Sequence, residues 1–177
     1  MNIMVDTIPS DSRGKDRINV GLEIASMVFD AKKIHFSEDV PIGLNVKWIG
    51  FNVFYPMHIF NVVSFLRRNN IPLLSCDRKK GHYPRIVAGG QGIPRMLHPI
   101  MDEIYYGEAD GDHVDRLGHS RASEITSPIF RTKSGKEGFM ELTRGCKYRC
   151  GFCEYAYVGG GKYRERSLSN FTDIITP

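Results

Sequence analysis

The chain has 177 residues, of which 41% are hydrophobic and 25% are charged, so it can bury a core as one domain or as two small ones. No apolar run approaches the roughly eighteen residues of a membrane span, and an acid at position 6 stands where a signal peptide would carry basic residues. The formal net charge is +4, and the excess lies after residue 118, where 10 basic residues outnumber 6 acidic ones.

The first half of the chain alternates strand-like and helix-like patterns. Residues 1–8 predict a first strand, and apolar side chains at helical spacing predict a helix over 17–31. The nearly all-apolar run 46–54 is typical of a strand that is covered on both faces. Residues 59–69 follow with one apolar helical face.

Shorter elements come next. Two short strands are predicted at 71–74 and 84–88, a short helix begins at Pro94, and another strand covers 103–106. This alternation favours a parallel sheet with helices on both faces. We therefore predict an α/β fold with a Rossmann-like N-terminal sheet.

A glycine turn follows the predicted strand 84–88. Gly89, Gly90 and Gly92 would lie at the carboxyl end of that strand, where open parallel sheets bind ligands, so they are candidate cofactor-binding residues. Arg95 stands where a dinucleotide fingerprint would have its third glycine, which argues against NAD.

Acidic residues cluster at 108–112, ahead of a predicted helix over 113–117. Glu108, Asp110 and Asp112 could gather a hard cation, but acids in this position more often cap a helix and favour its positive end. A linker is expected next, over 119–136.

Three of the four cysteines stand within eight residues. Cys146, Cys150 and Cys153 are spaced so that their thiolates can converge on one soft metal centre. Iron–sulfur clusters and structural zinc sites usually take four protein ligands, and only three are local here. The fourth could be Cys76, a distant His, or a molecule that is not protein. Cys76 follows an apolar run and is predicted to lie in the core, which leaves a coordination position for a reacting ligand.

The CxxxCxxC spacing, with Phe152 before the last cysteine and a strand-like run over 138–143 before the first, resembles the radical S-adenosylmethionine enzymes. The resemblance implies a 4Fe-4S cluster on Cys146, Cys150 and Cys153, with S-adenosylmethionine chelating the fourth iron and Phe152 near its adenine. It also implies one-electron cleavage to a 5′-deoxyadenosyl radical that takes hydrogen from a substrate, and an electron donor such as flavodoxin or ferredoxin. A cluster-type cysteine set without disulfide-like spacing indicates the cytoplasm.

Other segments resemble the members of that family that carry a cobalamin-binding-type domain ahead of the radical core. They are the Arg-Gly-Cys before the cluster, the run 164–169 after it, and the runs at 88–92 and 106–110. The lower-ligand motif of cobalamin domains is absent, because His58 has neither its Asp nor its Gly. The plainer prediction is a domain of that fold that binds no cobalamin, and binding without a His ligand is the alternative.

This resemblance divides the chain into a Rossmann-like domain at 1–118, the linker at 119–136 and the start of a radical core at 137–177. The core would be a TIM-like partial (β/α)6 barrel, of which the first strand, the cluster loop and a helix over 169–176 are present. The Gly-Gly-Glu of the second strand is missing. We therefore expect the N-terminal part of a larger enzyme, or a split product that needs its other half in cis or in trans.

A second interpretation of the cysteines is a non-catalytic module. Three cysteines and one His would close a structural zinc site. Cations interleaved with tyrosines are also typical of nucleic-acid surfaces, although the same cations could offset an anionic cluster or form a solvated face. The cations are Arg144, Lys147, Arg149, Lys162, Arg164 and Arg166, and the tyrosines are Tyr148, Tyr155, Tyr157 and Tyr163. Nucleic acid is the less expected partner.

Overall fold

The computed structural model describes residues 1–8, 18–38, 46–53, 55–90, 93–111, 122–131, 135, 137–148, 150–153 and 162–175. The strands in this part of the chain are β1 (Asn2–Asp6), β2 (Ala31–His35), β3 (Trp48–Asn52), β4 (Arg85–Gly90), β5 (Glu103–Tyr106), β6 (Phe130–Arg131), β7 (Gly138–Phe139), β8 (Thr143–Arg144) and β9 (Arg164–Glu165). The α-helices are α1 (Val20–Val28), α2 (His58–Arg68), α3 (Ser75–Arg78) and α4 (Leu168–Ile175), and Arg95–Leu97 form a 3-10 helix. None of these described helices is both long and apolar enough to span a membrane.

Five parallel strands form one sheet in the order β2-β1-β3-β4-β5. β1 lies between β2 and β3, so the order of strands reverses there, and open α/β sheets bind ligands at such a switch point. The register places Met4 beside Gly50, and Gly50 beside Val87. The predicted α/β fold with a Rossmann-like parallel sheet is confirmed.

One face of the sheet carries the main core. Ile3 and Val5 of β1 share this face with Ile49 and Phe51 of β3, because alternate residues of a strand point the same way, and all four are fully buried. Helix α2 covers them, and Phe65 packs edge-on against Phe51 with ring centroids 5.6 Å apart. Each of these side chains contributes about 1.5–3 kcal/mol by leaving water.

The opposite face is covered by α1 over β1. The Asn19 side chain caps α1 by accepting the Leu22 N–H at 3.2 Å, and Leu22 and Ala25 pack on Met4. A Cβ at Gly50 would lie 2.5 Å from the Met4 Sδ, so glycine is what allows Met4 to lie across β3. On this face, β3 therefore carries no side chain at position 50.

Two sequence predictions are wrong, and one strand of the sheet was not predicted. Residues 71–74 form no strand, because the carbonyls of Pro72 and Leu73 accept hydrogen bonds from the Arg78 guanidinium instead. Cys76 was predicted in the core but is exposed, since it lies on α3 at the surface. β2 is missing from the predicted elements, because Ile34 alone of its five residues is buried and the strand shows no apolar pattern.

The strand predicted over 138–143 is divided in two. β7 pairs antiparallel with β6, and β8 pairs antiparallel with β9, which follows the cysteines. Helix α4 lies close to the helix predicted over 169–176. Within the predicted linker 119–136, the side chains of Ala122, Ile125 and Ser127 are buried.

Candidate functional site

The three cysteines lie in a segment whose two ends are paired. β8 precedes them and pairs with β9, which follows them, so that Arg144 stands opposite Arg164. Gly145 has a φ of 88°, a left-handed conformation that glycine adopts readily, and it turns the chain toward Cys146. We call residues 145–163, between these strands, the cysteine segment.

All three cysteines are free thiols that solvent can reach. Cys150 is exposed, whereas Cys146 and Cys153 are partly buried. The Tyr148 N–H donates to the Cys146 Sγ at 3.4 Å, and the Cys153 N–H donates to the Cys150 carbonyl at 3.0 Å. In the described part of the chain, no three His, Cys, Asp or Glu side chains form a group that could hold a metal ion. The structure thus places the cysteines on one segment without gathering their sulfurs into such a group.

Phe152, predicted to lie near adenine, is 93% exposed between Gly151 and Cys153. Among the described residues, a Cβ at Gly151 would meet no atom within 4 Å, so none of them covers the chain at this point. The Phe152 ring is therefore free to contact a ligand.

Immediately before the cysteine segment, Arg144 is buried among three carboxylates. Its guanidinium donates to Glu141 at 2.9 and 2.6 Å, to Asp110 at 2.8 and 3.1 Å, and to Glu108 at 2.9 Å. These five hydrogen bonds use every N–H donor that arginine has. Burial would lower the pKa of Arg144, but the bonds to the three carboxylates outweigh burial and raise the pKa above its usual value.

Glu108, which follows β5, contacts the two arginines that flank the cysteine segment. Its Oε2 accepts from Arg144 and, at 2.9 Å, from the Ala122 N–H, and its Oε1 accepts from Arg164. Glu108 and Asp110 therefore bind arginines, whereas the sequence favoured a helix-capping role for them. The helix predicted over 113–117, together with Asp112, lies outside the described residues.

Among the described cations near the cysteines, the three arginines bind oxygen atoms of other protein groups. Arg144 and Arg164 bind carboxylates, and Arg166 donates to the carbonyls of Ser127 and Glu141 at 2.6 and 2.8 Å. Sequence reasoning missed the pairing of Arg144 because Asp110 and Glu108 lie 34 and 36 positions away from it. The sequence offered a general signal only, namely three acids after β5, at 108, 110 and 112, and a group of arginines around the cysteines.

Lys147 lies between two aromatic rings. Its Nζ is 5.8 Å from the centroid of Tyr148 and 5.5 Å from that of Tyr163, within the range of cation–π contacts. The Tyr163 hydroxyl donates to Glu165 at 2.8 Å, and this hydrogen bond raises the pKa of Tyr163. Of the remaining members of the predicted basic and aromatic surface, Lys162 is exposed, and Arg149, Tyr155 and Tyr157 lie outside the described residues.

A cavity of about 480 Å³ lies on the α1 face of the sheet. Gly89 and Gly90, two of the candidate cofactor-binding residues, are among the residues that line it, while Gly92 lies outside the described residues. The cavity extends across Gly50 of β3 and Gly89 of β4 to Glu108 and Arg144. It therefore joins the switch point of the sheet to the carboxylates that hold the cysteine segment.

His58 is buried at the carboxyl end of the sheet. Its Nδ1 is 2.8 Å from the Thr7 Oγ1, and the Thr7 hydroxyl donates its single proton to the Asn52 carbonyl at 2.9 Å. The His58 Nδ1–H is therefore the donor to Thr7. Burial lowers the pKa of His58, and the charge of Asp6 opposes this only in part.

Fold and site together define an α/β protein in which a 2-1-3-4-5 parallel sheet precedes a CxxxCxxC segment of free thiols. A family model for radical SAM proteins, N-terminal, matches residues 33–127, more than half of the chain, from within β2 to the buried Ser127. The chain therefore belongs to this family of radical S-adenosylmethionine proteins, and the predicted membership of that superfamily is confirmed. No curated protein and no solved structure matches it.

Proposed function

We propose that this chain carries the cluster-binding segment of a radical S-adenosylmethionine enzyme. One observation carries the proposal: three free, solvent-reachable thiols in CxxxCxxC spacing occur in a chain that belongs to the radical SAM proteins. Cys146, Cys150 and Cys153 would hold a 4Fe-4S cluster. When bound, the cluster and S-adenosylmethionine supply one-electron chemistry that yields a 5′-deoxyadenosyl radical able to take hydrogen from a substrate.

The donor set fits this group in kind. Thiolates are the usual ligands of iron–sulfur clusters, and three of them leave one iron for a ligand that is not protein. No described residue covers Gly151, and the Phe152 ring is exposed, which leaves room for that ligand there and lets Phe152 stack on its adenine. Because the structure does not gather the three sulfurs, binding would also draw the segment together around the iron.

We include four further elements in the proposal: an electron donor, a compartment, the rest of the barrel and the place where the substrate binds. Reduction requires a one-electron donor such as flavodoxin or ferredoxin, and the cytoplasm is the compartment in which free thiols persist. The remaining strands of the partial barrel would come from further residues in cis or from a second chain in trans. The substrate would contact those strands.

We further propose that the cavity lined by Gly89 and Gly90 binds a small molecule, because it lies beside the switch point of the sheet. We do not assign cobalamin to it.

Anaerobic reconstitution with iron and sulfide tests the main proposal. We expect about four irons per chain, and an EPR signal of the reduced protein that shifts when S-adenosylmethionine is added. Alanine at Cys146, Cys150 or Cys153 should abolish the signal, and Cys76→Ala is the matched control, because Cys76 is also a free thiol but lies on α3. Stoichiometric zinc with no uptake of iron would instead establish the structural zinc site.

A further inference from the structure

A single carboxylate of the parallel-sheet region contacts the residues on both sides of the cysteine segment. Glu108 comes directly after β5 and Gly107, and none of the three cysteines lies in this part of the chain. Its two oxygens serve different arginines: Oε2 accepts from Arg144 and Oε1 accepts from Arg164. The segment is thus attached to the sheet at its start and at its end.

The two arginines are brought to Glu108 by strand pairing. Arg144 in β8 and Arg164 in β9 stand opposite each other, so one acid can reach both guanidinium groups. Arg144 is two residues before Cys146, with Gly145 between them. A displacement of Arg144 is therefore passed directly to the first cysteine.

Burial makes this contact strong and makes its loss costly. The Glu108 side chain is 5% exposed, and those of Arg144 and Arg164 are 8% and 15% exposed. Charge-assisted hydrogen bonds in such surroundings are strengthened, whereas a buried charge that loses its partner is heavily penalised.

The two arginines depend on Glu108 to different degrees. Arg144 also binds Asp110 and Glu141, but among the described residues Glu108 is the carboxylate that Arg164 contacts, and the Arg164 Nε has no hydrogen-bond partner there. The end of the cysteine segment at β9 is therefore the part that relies most on this one acid.

We propose that Glu108 is a positioning residue for the cysteine segment: it fixes β8 against β9 and so sets the separation of the ends between which the cluster must form. This inference rests on the proposed function, because it concerns how readily the three cysteines take up iron. It adds that the sheet region participates in cluster assembly through an acid that touches neither iron nor S-adenosylmethionine.

Glu108→Gln tests this inference with two readouts, since the amide keeps the shape of the side chain and removes its charge. The first is hydrogen exchange of the iron-free chain, in which backbone amides at 143–146 and 164–166 should exchange about 10-fold faster, while those of α2 keep the wild-type rate. The second is anaerobic iron titration, in which the affinity for iron should fall roughly 10-fold and the EPR spectrum should change. Losses of this size are typical when a residue that orients a metal ligand, without touching the metal, is replaced. Asp77→Asn, which removes an exposed acid paired with Lys80, is the control and should match the wild type in both.

The two readouts separate the possible failures. Unchanged exchange at β8 and β9, or faster exchange with wild-type iron affinity and spectrum, would each overturn the inference. If the wild-type chain bound no iron, the proposed function would fail and the role in cluster assembly with it, while exchange would still decide whether Glu108 holds the segment. Should Glu108→Gln unfold the whole protein, Arg164→Gln removes only the contact at β9 and is read with the same criteria.

Discussion

Replacing Arg144 by methionine should cost more stability than any exposed substitution. The change deletes five hydrogen bonds and leaves Glu108, Asp110 and Glu141 without the cation that they share. Removing one partner of a buried ion pair typically costs about 3–5 kcal/mol, and three carboxylates left together argue for the upper end, about 5 kcal/mol. Arg144→Lys keeps the charge but has three donors in place of five, so it loses at least two charge-assisted bonds, or about 3 kcal/mol.

Urea unfolding followed by circular dichroism measures these costs as shifts in the transition midpoint at constant slope. Lys80→Met is the matched control, because it removes a cation from an exposed pair with Asp77 and should cost no more than about 1 kcal/mol. We expect Lys80→Met to be the most stable of the three variants, Arg144→Lys to be intermediate, and Arg144→Met to be the least stable. If Arg144→Met lay within about 1 kcal/mol of Lys80→Met, the carboxylates would not depend on Arg144 and the reasoning from burial would be wrong.

Three further predictions follow from other sites. Burial lowers the pKa of His58 below its value of about 6.5 in the unfolded chain, so the unfolded chain takes up a proton first as the pH falls, and the folded state loses stability. His58→Gln should therefore reduce the difference in unfolding free energy between pH 7.5 and 5.5, and an unchanged difference would contradict this. Gly90→Ala should cost about 2 kcal/mol or more in urea unfolding, because φ is 138° and its Cβ would meet the Val53 carbonyl oxygen at 2.5 Å. A Cβ at Gly89 would have the Tyr105 carbonyl oxygen, at 4.0 Å, as its one neighbour among the described residues, so Gly89→Ala should cost less than about 1 kcal/mol, and equal costs would refute the steric argument. Phe152→Ala should leave the unfolding free energy within about 0.5 kcal/mol of the wild type, because the ring is exposed. It should weaken the binding of S-adenosylmethionine to the reconstituted protein, measured by EPR titration, and unchanged binding would show that Phe152 does not contact this ligand.

Sequence patterns predicted the parts of the fold that bury apolar side chains at a regular period. The run 46–54 reads as a strand covered on both faces, and β3 is indeed a central strand with Phe51 fully buried. β2 escaped prediction because it lies at the edge of the sheet and buries Ile34 alone. The apolar run 71–74 misled, because hydrophobicity does not reveal that the carbonyls of Pro72 and Leu73 are taken by Arg78.

Part of the candidate site could likewise be predicted from the sequence, and part could not. Cysteine spacing is local, so Cys146, Cys150 and Cys153 could be selected from the sequence together with the family they resemble. The contacts of Arg144 and Arg164 with Glu108 join residues far apart in the chain, and residue type and spacing hold no information on which acid meets which base. Such pairings appear only when the strands that carry them have been placed.

The shared carboxylate has a consequence for protein engineering. Residues 143–166 are not a self-contained cassette, because two of their arginines are neutralised by an acid that lies upstream in another part of the fold. Grafted onto a foreign scaffold, the stretch would bring buried positive charge without a counter-ion, unless the host offered an acid at the corresponding strand end. A successful transplant would therefore have to move Gly107 and Glu108 along with the cysteines.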